Sequence, residues 1–184
     1  MQTLERQLIG TLEINEELIL TDPCYEPDTW CTAKANVPYG TYNCFAEYTE
    51  DRVASIEIVK EGHEEYFEGE YIADLGVDSG QLGMFCTSKY RERPSKEVYM
   101  KSLETTPMCE GWETPYNEET TDEDSFYDCC GNYTLSTQQC GILEGIGFVS
   151  SSGWGDGVYQ FCYLYNCDDE TEVVGLKVLF IGEN

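Results

Sequence analysis

The feature that most limits what this chain can fold into is a pair of runs, Thr41–Thr49 (TYNCFAEYT) and Val53–Lys60 (VASIEIVK), which alternate apolar with polar residues. A period of two puts successive side chains on opposite faces of a strand. Glu50 and Asp51 stand between the runs, so the two read as an antiparallel hairpin. Val53, Ser55, Glu57 and Val59 are expected on one face, and Ala54, Ile56 and Ile58 on the other. Leu4–Ile14 and Leu18–Leu20 predict two further strands with a turn at Asn15-Glu16-Glu17. Ile142–Val149 and Val158–Asn166 predict two more, and Glu172–Ile181 (EVVGLKVLFI) the strongest, placed centrally after the turn Asp168-Asp169-Glu170. Helical signals are few. Asp124–Leu135 reads as a short helix capped by Asp124 or Ser125, with Phe126, Cys129, Cys130 and Tyr133 on one face, and Pro27–Cys31 as one turn of helix. The expected fold is mainly β, a β-sandwich or barrel-like antiparallel sheet with one or two short helices, with α+β as the alternative. A chain of 184 residues fits one β-rich domain over residues 1–184.

Charge narrows the partners. Against 36 Asp and Glu there are 10 Lys and Arg, a formal charge of -26 with a pI near 4.1. Direct nucleic-acid binding through phosphate is disfavoured, as is an anionic membrane surface, and a basic protein partner is favoured. From Ser102 to Leu176 there is no Lys or Arg, and residues 102–124 read as an acidic exposed insertion. Just before it, Lys89, Arg91, Arg93, Lys96 and Lys101 hold half of all the bases. They are expected to meet the acidic surface of their own molecule, a second copy in a homo-oligomer, or an anionic ligand. No apolar run approaches the roughly 18 residues of a membrane span, and Glu5 and Arg6 interrupt any export signal, so the expected location is the cytoplasm of a bacterial host cell. The ten cysteines include no C-x-x-C pair and read as reduced thiols, several acting as small buried hydrophobes.

Three acids stand in tight turns. Asp22 precedes Pro23 and can accept nearby backbone N–H groups. Asp78 lies in the glycine-spaced segment Leu75–Phe85, and Asp156 in Gly147–Tyr159 (GFVSSSGWGDGVY), which reads as a β-hairpin turn with an aromatic plug. Candidate binding residues are therefore Asp22, Tyr25, Asp78, Ser79, Gln81, Ser152, Trp154, Asp156 and Tyr159, with Lys89, Arg91 and Arg93 as the basic contribution. His63, the only histidine, reads as solvated. The chain lacks a P-loop and a nucleophile elbow, so no catalytic or metal-ligating residue and no cofactor is assigned.

Asp22-Pro23-Cys24-Tyr25, Val77-Asp78-Ser79-Gly80-Gln81 and Ser151–Tyr159 (SSGWGDGVY), in that order, resemble bacterial and phage proteins grouped as domain-of-unknown-function family 4241. The resemblance spans most of the chain and implies a common fold rather than an activity. The family pattern has an aspartate after the phenylalanine of the middle motif; Cys86 follows Phe85 here, so no acidic role is carried to that position. Members resemble proteins encoded near toxin–immunity or phage-conflict genes. The favoured function is a non-enzymatic protein that neutralises a partner through an acidic surface, as an immunity protein or phage anti-defence inhibitor does. The alternatives are a sponge for a small nucleotide-like ligand and a metal-dependent hydrolase with Asp22, Asp78 and Asp156 in one pocket.

Overall fold

The computed structural model describes residues 4–105 and 115–182. In chain order the elements are β1 Glu5–Ile14, β2 Leu18–Thr21, β3 Ala33–Ala35, β4 Gly40–Thr49, β5 Arg52–Lys60, β6 Tyr66–Glu68, β7 Ile72–Val77, β8 Gln81–Cys86, α1 Lys96–Thr105, α2 Asp122–Thr134, β9 Cys140–Leu143, β10 Gly147–Ser151, β11 Gly157–Asn166 and β12 Val173–Leu179. The larger sheet runs β1-β4-β5-β12-β11, with β6 and β7 pairing along the far edge of β11; the smaller runs β3-β2-β8-β10-β9. Every pairing is antiparallel.

The alternation that predicts the hairpin is the alternation that builds the core. Cys44 and Ala46 of β4, Ile56 and Ile58 of β5, and Leu176 and Val178 of β12 meet Leu18, Leu20, Leu82, Met84 and Phe148 of the smaller sheet. The odd neighbours on the smaller sheet, Ile19, Phe85 and Val149, face the other way, onto Val98 and Tyr99 of α1 and Phe126, Cys129, Cys130 and Tyr133 of α2. Both faces of that sheet are covered, which is why β2 and β8 are buried at every position. The layers are thus sheet, sheet, helices. β12 lies between β5 and β11, the central place its apolar run predicts.

Several expectations are corrected. The predicted face of Val53 is wrong, because the register shifts between Glu47 and Tyr48; the bulge turns Val53 into the same core as Ile56 and Ile58. β1 and β2 are not a hairpin, since β1 pairs with β4 in one sheet and β2 with β3 and β8 in the other. Residues 26–32 form successive turns, with Thr29 N–H bonded to Glu26 C=O and Thr32 N–H to Thr29 C=O, and no helix. The cap of α2 is Thr121, whose hydroxyl accepts from Asp124 N–H, so Asp122, Glu123 and Asp124 form the first turn at the positive end of the helix dipole. The acidic segment 102–124 overlaps both helices: Ser102 is buried in α1 and Asp122–Asp124 open α2, while 106–114 lie outside the described residues. No helix of the described residues is long and apolar enough to cross a membrane.

Candidate functional site

The glycine-rich stretch Gly147–Tyr159 does not close a hairpin. β10 belongs to the smaller sheet and β11 to the larger, so residues 152–156 carry the chain from one sheet to the other. Residues 78–80 make the opposite crossing, from β7 to β8. The two crossings run side by side because their strands pair on both sides, Gln81 with Ser151 and Val77 with Gly157. Ser152 N–H donates to Gly80 C=O at 3.0 Å and locks them together. Gly153 has φ +64, and Arg52 donates to its carbonyl at 2.9 Å while lying over the Trp154 ring at 4.7 Å.

Asp22 fastens this junction to the end of β2. Its side chain is fully buried and meets four donors: Cys24 N–H (2.9 Å) and Ser79 Oγ (2.6 Å) at Oδ1, Asp78 N–H (2.9 Å) and Ser79 N–H (2.7 Å) at Oδ2. An acceptor-only group surrounded by donors is how a carboxylate can be kept inside without a cation. The Tyr25 hydroxyl donates to Asp78 Oδ2 at 2.6 Å, and this bond pushes the phenol pKa up. A Cβ on Gly76 would lie 2.8 Å from Cys31 Cβ, so only glycine lets the 22–32 loop pack this closely on β7. Partial burial, then the Asp22 carboxylate, raise the Cys24 thiol to about 12, which keeps it protonated and unreactive at neutral pH.

Asp22, Tyr25, Asp78, Ser79 and Gln81 therefore come together, and Ser152 joins them through Gly80. The hydroxyls of Ser152 and Tyr159 both donate to Gly155 C=O (2.8 and 2.7 Å), shaping the loop that presents Trp154 and Asp156. The three carboxylates do not form an ion site: Asp22 is filled by protein donors, and among the described residues no group of three or more His, Cys, Asp or Glu could hold a metal. The basic candidates lie elsewhere. Arg91 pairs with Glu26 (3.1 Å) and Glu123 (2.8 Å), Arg93 with Asp122 (3.0 Å), and Lys89 with Glu92 (3.2 Å). Of the three destinations expected for this run, these residues take the acidic surface of their own molecule.

Two concavities were not foreseen. A cleft of about 350 Å³ lies between α2 and the crossings, lined by Ser79, Gln81, Tyr127, Asp128, Gly131 and Asn132 among others. Thr134 Oγ1 donates to Gln81 Oε1 at 3.0 Å, and Gln81 leads through Ser79 to Asp22, so the cleft wall is continuous with the junction. Burial, then the neighbouring Asp124, raise the Asp128 pKa. The sequence signal was Gly131, a glycine inside a helical pattern. The second concavity, about 510 Å³, sits on the outer face of the larger sheet and holds Arg6, Glu47, Glu57, Glu68 and Lys177. Arg6 meets Glu57 at 2.5 Å, and Lys177 bridges Glu47 and Glu68 at 3.0 and 2.7 Å. Its signal was a lone lysine in the most apolar strand.

Fold and site together define a two-sheet antiparallel β domain with a helical flank, whose paired crossings are clamped by a buried aspartate. No family model, curated protein or solved structure matches the chain.

Proposed function

We propose that this protein is a non-enzymatic binder that neutralises a basic protein through its acidic surface, in the manner of immunity proteins and phage inhibitors of host defence. One observation carries the reading: among the described residues, eight of the ten bases are engaged within the molecule, all but Lys60 and Lys101. Arg6, Lys34, Lys89, Arg91, Arg93 and Lys177 all stand in ion pairs with its own carboxylates. Arg52 lies over Trp154 and Lys96 over Tyr116. With these engaged, the negative excess faces outward and attracts a positively charged cleft, such as a nucleic-acid-binding one, at long range. The same pairing weakens the sponge reading, because Lys89, Arg91 and Arg93 would have supplied its phosphate contacts. Exposed Trp30 and Trp154, at 86% and 64%, offer the aromatic anchors that interfaces favour.

The test is affinity capture of a basic protein from bacterial lysate, followed by measurement of the purified pair at increasing salt. Going from about 0.01 M to 0.15 M ionic strength shortens the Debye length from about 30 Å to 8 Å and should slow association steeply. Salt-independent association would refute the electrostatic mechanism.

A further inference from the structure

We propose that the cleft beside α2 binds a small amine-bearing polar molecule without phosphate, about the size of a nucleoside. The inference does not depend on the surface reading above. Gly131 is its first support. Glycine is the costliest residue after proline inside a helix, yet Gly131 has no positive φ, and a Cβ built on it meets nothing within 4 Å. Neither backbone geometry nor packing demands glycine there. What a side chain would occupy is the cleft, whose volume of about 350 Å³ lies within the roughly 300–1,000 Å³ of ligand pockets.

The lining indicates the chemistry. Gln81 is 6% exposed, its oxygen is taken by Thr134, and its nitrogen reaches only Ser79 Oγ, at 3.4 Å, among the described residues. An amide nitrogen has two N–H groups, so one donor remains for an acceptor in the cleft. Tyr127, 38% exposed, supplies a flat apolar wall. Among the described residues, Asp128 is the one charged residue lining the cleft, and no Lys or Arg lines it. Within a chain of charge -26 this repels phosphate, while the Asp128 oxygens can accept from the N–H of an amino group. Ser79, held by the buried Asp22, keeps the wall in place before any ligand arrives.

The experiment is calorimetric titration of the full chain with cytidine, with uridine (which lacks the exocyclic amine), with cytidine monophosphate, and with spermidine as an aliphatic amine. The expected result is binding of cytidine about tenfold or more tighter than of uridine or of the monophosphate. Spermidine binding without cytidine binding is what the net charge alone would give and overturns the proposal. Gly131→Leu should abolish binding by filling the cleft. Asp128→Asn, which alters no packed atom count, should weaken it about tenfold and serves if the leucine variant does not fold. The proposal is overturned if cytidine does not bind, if uridine or the monophosphate binds as well as cytidine, or if binding survives the Asp128 variant unchanged.

Discussion

Replacing Asp22 by Asn tests whether the buried carboxylate holds the two crossings together. The change conserves shape but converts one oxygen to an amide nitrogen, itself a donor. With the remaining oxygen at the Oδ2 position, the bonds from Asp78 N–H and Ser79 N–H survive in neutral form. The nitrogen then faces Cys24 N–H and Ser79 Oγ. The serine hydroxyl can rotate to accept, but the Cys24 N–H cannot and is left without its acceptor. An orphaned buried donor costs about 1–3 kcal/mol, and a hydrogen bond to a charged group contributes about 1.5–3 kcal/mol against about 1 for a neutral one. Those are net figures that already include the exchange with water, so the loss sums to roughly 3–5 kcal/mol. Against a typical total of about 5–15 kcal/mol this is a large fraction. Urea unfolding of wild type and variant should show the difference as a lower midpoint at unchanged slope. A loss below about 1 kcal/mol would refute the claim that Asp22 clamps the junction, since even one orphaned donor exceeds that.

Three further outcomes follow from the same geometry. Gly131→Ala should raise stability by about 0.5–1 kcal/mol, seen as an increase of a few degrees in Tm, because alanine removes the helix penalty and meets no neighbour. Burial and Asp124 raise the Asp128 pKa, so its ionisation opposes folding at neutral pH; Asp128→Asn should be the more stable form there, with the advantage vanishing as pH falls below the unfolded value of about 3.9. Lys177→Met should cost about 2 kcal/mol in denaturant, less than the roughly 3–5 of a fully buried pair because Glu68 is 41% exposed. Burial pushes the Glu68 carboxyl up, but bonds from Lys177 and Tyr71 outweigh it and hold the pKa low. Its contribution is therefore present above about pH 4.3 and lost as pH falls through the folded value, and this acid-side loss should shrink in Lys177→Met.

The sequence by itself located β1, β2, β4, β5, β11 and β12, the central place of Glu172–Ile181, and the buried face of α2, because period-two and helical spacing are local properties that dictate which side chains can share a face. It left β3, β6, β7, β8 and α1 unread, and the single strand expected over Ile142–Val149 is two, β9 and β10, paired across a turn. It also singled out Asp22, Asp78 and Ser79, since an aspartate before proline and a glycine-flanked serine mark turns whose polar groups need partners. Sheet membership was another matter. β1 and β2, and β10 and β11, read in sequence as strands joined by a turn, yet each pair divides between the two sheets, as do β7 and β8 on either side of the glycine-spaced segment around Asp78. Local pattern cannot distinguish a turn within a sheet from a crossing between sheets, because both need only a short polar or glycine-rich link. That choice is made by which strand offers a complementary apolar face. Only the tertiary structure therefore brought Asp22 to Ser79, at a sequence separation of 57, and put Gly131 and Gln81 in the lining of one cleft. It likewise turned the bases of 89–93 onto their own acids, leaving Gly147–Tyr159 as one half of a double crossing.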